Sequence, residues 1–502
     1  MQKPLFVICL LFLFLSAPLS ANDDALDRLP AIIEKGMADW HVPGMAVAVL
    51  TDREILFQRG FGTTASTGDK KIDTHTQFAI ASTTKAMIAA CIMILADEGK
   101  LALDDLAIKH LPELQFGDTW LNGQVTVRDM LTHRTGLAST DLWTFVQDMP
   151  LDEQIERLSL IEPSASLRSR FQYQNTMFEL LGLILERVSG QSWPDFVRER
   201  LWQPLGMDET FASRGRITSG KDHVLPYYYL HGEWVQAEWN FDVDFVDAAG
   251  SVWSSVHDMG RWAQFLLRDG TTQDGRRLIG KENFAEIFQP QMLVSGEAFY
   301  PTIELTRPHW MSYGLGWFQQ DFQGRKIDFH TGSLAGLIAM IGLDRENHLA
   351  VVILGNRDHA EMRHAILWEV MDQQPVDSRR DWSADILALY RGLDEKHKAE
   401  WEKTVSGRLT GTRPALPLAD YLGLYHNAGW GSVEVQQTAK GMLFHSVKVD
   451  LALTHWHHDT FLAERNGEDF RVLIPFKLSR HGTVQSLEMF GYTFDRVTDV
   501  AE

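Results

Sequence analysis

The segment Ala81-Ser82-Thr83-Thr84-Lys85-Ala86-Met87 constrains this chain more than any other. An extended approach, Gln77-Phe78-Ala79-Ile80, leads into it, and an apolar run from Met87 to Ala96 follows, closed by Gly99. A helix that is apolar all round has to be buried. In a helix starting near Ser82, Lys85 stands three residues on and shares the same face, so a hydroxyl and an ammonium meet at a helix N-terminus. Free N–H groups and a partial positive charge at that end favour developing negative charge. Ser-x-x-Lys is the arrangement of an activated serine. At average lysine usage a chain this rich in serine offers roughly one such match by chance, so its partners must decide.

An activated serine needs a base or proton relay, a group that aligns the substrate and an oxyanion hole. Two later stretches can supply them. Tyr173-Gln174-Asn175 stands just before an apolar helical stretch from Met177 to Val188, and His330-Thr331-Gly332-Ser333 closes a late strand-like run. Gly332 lets a backbone or substrate approach closely. The plain structural readings are a serine cap with a solvated lysine, an Asn175 cap and a strand-end histidine.

In this order and spacing the motifs resemble the serine β-lactamase and penicillin-binding protein superfamily, specifically its class C-like (CubicO-type) branch. Supporting matches are Asp129 to Leu137, Ala249 to Ser255 and Tyr313-Gly314-Leu315-Gly316-Trp317. The resemblance implies that Ser82 attacks a carbonyl to give an acyl-enzyme. Lys85 and Tyr173 would share its proton, with Tyr173 held as a phenolate or relay by the neighbouring ammonium. It also implies that Asn175 aligns the acyl side of the substrate, with His330, Thr331, Gly332 and Ser333 forming the strand beside it. The backbone N–H groups of Ser82 and Ser333 would make the oxyanion hole. No metal or organic cofactor is expected. Many members carry Lys where this chain has His330, and a histidine holds little charge at neutral pH. That departure weakens recognition of a substrate carboxylate and makes β-lactam hydrolysis a less favoured expectation.

The fold class expected is α+β: an antiparallel sheet assembled from both ends of a domain, a helical block between, and a small all-β domain at the C-terminus. A helix over residues 22 to about 40 precedes a hairpin of Met45 to Leu50 and Glu54 to Phe57, and four strand-like runs return between Tyr313 and Leu354. The expected boundaries are a signal peptide at 1–21, a hydrolase domain at 22–375, a helical linker at 376–415 and a β-barrel or sandwich at 416–502. Residues 1–21 have a basic start at Lys3, an apolar core and a small-residue end. They predict export to the periplasm or the medium, with an uncleaved anchor as the alternative. Without that segment only Cys91 remains, so no internal disulfide can form. A formal net charge of −20 without a Lys/Arg cluster speaks against nucleic acid or an anionic membrane as partner. No membrane insertion of the mature chain is expected.

The sequence therefore predicts an exported serine hydrolase acting on amide bonds of D-amino-acid or cell-wall peptides, of carboxypeptidase or D-aminopeptidase type. The alternative is a carboxylesterase of the same fold; a β-lactamase or a non-catalytic binding protein is less favoured. His133 and Arg134 are expected to brace a loop. The aromatic set Tyr227, Tyr228, Tyr229, Trp234 and Trp239 suits a cleft wall and ordinary packing equally. His455-Trp456-His457-His458-Asp459 imitates a zinc motif, but Thr460 stands where a further histidine belongs, and surface and packing histidines are the expectation.

Overall fold

The computed structural model describes residues 23–218, 222–237, 247–375, 378–465 and 470–498. The signal-like segment 1–21 and Trp239 lie outside them. Among the described residues, no helix is long and apolar enough to cross a membrane.

The expected N-terminal helix is Asp23–Asp39, and the expected hairpin is β1 (Gly44–Thr51) with β2 (Ile55–Gly62). Two short strands, β3 (Phe78–Ala79) and β6 (Trp253–Ser254), pair with each other, as do β4 (Tyr227–Leu230) and β5 (Glu233–Gln236). The late strands are β7 (Met292–Leu293), β8 (Met311–Tyr313), β9 (Phe318–Phe322), β10 (Arg325–Leu334), β11 (Leu337–Asp344) and β12 (Leu349–Gly355). They join the first hairpin in one sheet of order β2-β1-β12-β11-β10-β9-β8-β7, antiparallel throughout. The β1–β12 pairing, with Val47 opposite Ile353, closes the domain from both ends of its sequence.

Period-two alternation gives this sheet two buried faces. Met45, Val47, Ile338, Met340, Val351 and Ile353 face the helices Asp23–Asp39, Met362–Met371 and the start of Trp382–Ser406. Ala46, Ala48, Ala339, Ile341, Val352 and Leu354 face the helical block. The Thr84–Asp97 helix lies at the centre of that block, buried at every position from Thr84 to Leu95. Its all-round apolar sequence leaves it no solvent face.

The C-terminal domain is a closed barrel of eight antiparallel strands, from Gly423–Asn427 to Tyr492–Arg496. Tyr425, Phe444, Leu451, Phe461, Ile474 and Leu487 are buried at 0–1% exposure, so side chains fill the interior. The barrel meets the hydrolase domain along the stretch from the short helix Asp141–Phe145 to Arg157, which donates to the Ala428 carbonyl. The buried Trp143 donates its Nε1–H to the Gly429 carbonyl at 2.8 Å, and its ring lies 5.7 Å from that of Trp430. Just beyond, the Val146 carbonyl accepts from the Lys448 amide at 3.1 Å and the Ser446 hydroxyl at 3.0 Å.

Candidate active site

Ser82 lies in a single 3₁₀ turn, Ala81–Thr83, that runs straight into the buried helix. The residue before it, Ala81, is buried at φ +45°, a left-handed conformation that costs a non-glycine residue about 1–3 kcal/mol. Strain of this kind persists only where the surroundings enforce it. Here β10 does so: a Cβ on Gly332 would come within 2.3 Å of the Ile80 carbonyl oxygen and 3.0 Å of the Ala81 Cβ. Only glycine lets the strand close on the serine turn.

Lys85 is fully buried, and its Nζ has three partners. They are the Ser82 Oγ at 3.2 Å, the Asn175 Oδ1 at 2.8 Å and the Ala249 carbonyl at 2.7 Å. An amine has two N–H bonds and one lone pair. The carbonyl and the amide oxygen can only accept, so they take the two N–H bonds and leave the lone pair for the serine O–H. Burial brings Lys85 down to about 7, with the Asp141 and Glu179 charges pulling the other way. Close to half of the molecules therefore carry the free amine at neutral pH.

Tyr173 stands beside this pair, its ring centroid 4.9 Å from Lys85 Nζ and its phenol near enough to the Ser82 hydroxyl to be lowered by it. Of the two expectations for Tyr173, phenolate or relay, its burial favours the relay. Burial raises the Tyr173 phenol well above its ordinary value, more than the Ser82 hydroxyl lowers it, so the group is a neutral proton donor. His133 fixes its position. This histidine is buried at φ +52°, accepts the Gln174 amide on Nδ1 at 3.1 Å, and places its ring 4.4 Å from that of Tyr173. Arg134 turns away to the buried Asp129 carboxylate at 2.7 Å. The bracing role expected of both residues agrees with this geometry.

Asn175 opens the helix Asn175–Ser189 and is more committed than the sequence suggested. Its Oδ1 accepts from Lys85, while its Nδ2 donates to Asp141 Oδ1 at 3.0 Å. Asp141, Glu179 and the Ala249 carbonyl were all missed by sequence reasoning. Asp141 carries no signal beyond a carboxylate at a short helix start. Glu179, one helical turn after Asn175 and 2% exposed, is pushed up to about 8, mainly by burial and then by Asp247. A main-chain carbonyl leaves no trace in sequence.

Alternation along β10 sorts the remaining residues. His330 and Gly332 face the helical block; the Thr331 hydroxyl turns to Tyr300 at 2.6 Å and the Ser333 hydroxyl accepts from Arg363 at 2.8 Å. The His330 Nδ1 lies 2.6 Å from the Thr331 carbonyl and must carry the proton, so Nε2 accepts from the Tyr313 hydroxyl at 3.0 Å. Burial, and next the Lys85 charge, bring His330 down to about 3. It is a neutral ring and offers no cation to a substrate carboxylate. The β4–β5 hairpin stands beside the β10–β11 turn, with the Tyr227 amide donating to the Gly336 carbonyl at 3.1 Å.

The zinc-like motif in the barrel has structural partners. His455 Nε2 meets the His458 carbonyl at 2.9 Å, His457 Nδ1 accepts the Leu409 amide at 3.5 Å, and Asp459 accepts the Ala415 amide at 2.9 Å. These contacts fasten the segment after the long helix to the barrel.

Comparison with known proteins agrees with this fold. The Beta-lactamase family profile matches residues 29–374, and a domain of unknown function (DUF3471) matches residues 408–500. An unguisins hydrolase of Aspergillus campestris is 26% identical over 82% of this chain and 78% of its own length. Protein flp of Staphylococcus aureus is 24% identical over 74% of this chain and 70% of its own. Among solved structures, the octameric penicillin-binding protein homologue from Pyrococcus abyssi covers 93% of this chain and 99% of its own, with a TM-score of 0.61 and 22% identity. A penicillin-binding protein from Bacillus halodurans covers 68% of this chain and 97% of its own, with a TM-score of 0.53 and 22% identity. The chain belongs to the beta-lactamase family and is a serine hydrolase.

Proposed function

We propose that this hydrolase cleaves amide bonds in D-amino-acid-containing peptides through an acyl-enzyme on Ser82. The observation that carries the reading is the Lys85 amine, poised near neutrality at 3.2 Å from Ser82 Oγ with both N–H bonds engaged elsewhere. Lys85 takes the serine proton as Oγ adds to the carbonyl carbon. The Ser82 and Ser333 amides stabilise the oxyanion. Tyr173 protonates the leaving nitrogen and recovers its proton from the Lys85 ammonium through the shared hydrogen-bond network. Water then attacks the ester by the reverse relay, and the acid is released.

The neutral His330 favours substrates that do not present a free carboxylate beside β10, which supports an aminopeptidase or endopeptidase type over a carboxypeptidase. A relative named as an unguisins hydrolase supports hydrolysis of a peptide-like product. The signal-like N-terminus supports action outside the cytoplasm. A carboxylesterase is the second reading, favoured by the aromatic rings of Tyr173, Tyr313 and Phe318 packed around His330.

The test is covalent labelling with a fluorescent penicillin and with a fluorophosphonate, on wild type and Ser82→Ala, alongside turnover of D-aminoacyl amides, matched peptides with free C-termini, and simple esters. Label lost in Ser82→Ala, with amides cleaved faster than free-carboxylate peptides, supports the proposal. Fluorophosphonate label with ester turnover alone transfers the assignment to an esterase, and no label by either reagent refutes the acyl-enzyme.

A further inference from the structure

A second cluster of chemistry-bearing side chains lies apart from Ser82. His75, Glu209 and His257 each offer one ligand atom, and the three atoms lie within 4.8 Å of one another. They come from three separate stretches: the approach to β3, the segment after the Gln203–Leu205 turn, and the first turn of the Val256–Leu267 helix. His75 Nδ1 is 2.8 Å from Glu209 Oε2, and the two imidazole rings are 4.6 Å apart at an interplanar angle of 38°. Their side-chain exposures are 52%, 13% and 28%, open enough for an ion to enter and closed enough to hold it.

The surroundings are organised as ligand supports are. Asp258, 1% exposed, puts Oδ1 at 3.2 Å from His257 Nδ1 and accepts the Glu209 amide on Oδ2 at 2.7 Å. The same Oδ2 accepts the Thr210 hydroxyl at 2.9 Å. One buried carboxylate thus orients the imidazole of one candidate ligand and the backbone of another. With Nδ1 turned to Asp258, His257 keeps Nε2 for an ion, the carboxylate–histidine–metal arrangement that raises ligand basicity. Ser255 Oγ reaches Glu209 Oε2 at 3.3 Å, and the His257 amide donates to the Thr74 carbonyl at 3.0 Å.

Two imidazoles and a carboxylate form a donor set suited to zinc and its neighbours among divalent transition ions, with water filling the remaining position. The position in the fold gives the ion a task. His75 stands three residues before β3 and His257 three residues after β6, and those strands pair Phe78 with Ser254 and Ala79 with Trp253. β3 leads directly to the Ser82 turn. β6 follows Ala249, whose carbonyl holds Lys85. We propose that His75, Glu209 and His257 bind a divalent transition-metal ion, zinc being the one their chemistry suits, which clamps the open end of the β3–β6 ribbon. The ion is structural and touches no reacting atom.

The test uses full-length protein stripped of metal with a chelator and titrated with Zn²⁺ alone, read by calorimetry and by the melting temperature. Titration with Co²⁺ reads ligand geometry from its visible spectrum. One saturable equivalent, a melting temperature raised by several degrees, and loss of both in His75→Gln and His257→Gln are expected. Asp258→Asn should weaken binding by roughly 10–100-fold. His457→Ala, in the barrel's histidine-rich turn, should leave the titration unchanged. Absence of saturable binding to wild type overturns the proposal without recourse to any variant. Binding that survives the two substitutions combined, or that disappears in His457→Ala, places the ion elsewhere and overturns it too.

Discussion

Replacing Lys85 with Met removes the one titrating group in the buried triangle while keeping a side chain of similar length. The magnitude follows from the proton. Folded, Lys85 holds it only up to about pH 7; its ordinary value is 10.5. That gap corresponds to about 5 kcal/mol at about 1.36 kcal/mol per pH unit. Between those two values the unfolded chain binds the proton and the folded site does not, so stability rises with pH across that window. Below pH 7 both states are protonated and the native state bears the whole cost; above 10.5 both are neutral and the cost has gone. Met has no such dependence. The Ala249 carbonyl and the Asn175 Oδ1 lose a donor in the variant, about 1–3 kcal/mol each, but that loss is independent of pH here and sets only the offset. Urea unfolding of both proteins, stepped from roughly pH 6.5 to 10.5, gives their stability difference. It should move in favour of wild type by about 5 kcal/mol as pH rises. A difference that stays flat would show that the Lys85 ammonium is not desolvated and would remove the argument for a free amine at neutral pH.

The same amine governs catalysis, so kcat/KM for any acylating substrate should fall about tenfold for each pH unit below about 7, as a pH–rate profile will read. Asp141 holds the Lys85 value up, and in Asp141→Asn the acid limb should move to lower pH while the bond from Asn175 keeps an oxygen acceptor; a limb that stays put counts against that coupling. Gly332→Ala drives a methyl to 2.3 Å from the Ile80 carbonyl and should cost about 1–3 kcal/mol, with Ser82 labelling lost; thermal melts and penicillin or fluorophosphonate labelling check both. Trp143→Ala empties a fully buried indole site and should cost about 3–5 kcal/mol by calorimetry, with the acid limb shifting as Asp141 is released.

Much of the site was legible because spacing on a regular element is a geometric statement. Ser82 and Lys85 had to meet once the apolar run from Met87 onward was recognised as a buried helix, and the two motifs following in order made Tyr173, Asn175 and His330 their neighbours. The hairpin and late strands were legible from alternation and turn residues, and so was the C-terminal β-domain. Protonation was not legible. A nearby ammonium left Tyr173 as a phenolate or a relay, and what favours the neutral relay is burial, a property of the packed whole. The partners of Lys85 were hidden for the same reason: Asp141 and the Ala249 carbonyl are remote in sequence and generic in type. His75, Glu209 and His257 were invisible because no two of them share an element, whereas His455, His457 and His458 drew notice by adjacency and are engaged with neighbouring backbone instead.

The contact between Trp143 and the Asn427–Gly431 turn bears on how the molecule comes into being. Asp141, which holds Asn175 and tunes Lys85, stands two residues before that tryptophan, and the turn beneath it belongs to a part of the chain made nearly three hundred residues later. The turn on which Trp143 rests is therefore synthesised after every side chain of the site. A chain cut short anywhere before Gly429 can carry Ser82, Lys85 and Tyr173 complete and still lack the turn that supports Trp143, two residues from Asp141. Exchanging barrels among such hydrolases means exchanging the stretch from Thr140 to Leu158 with them.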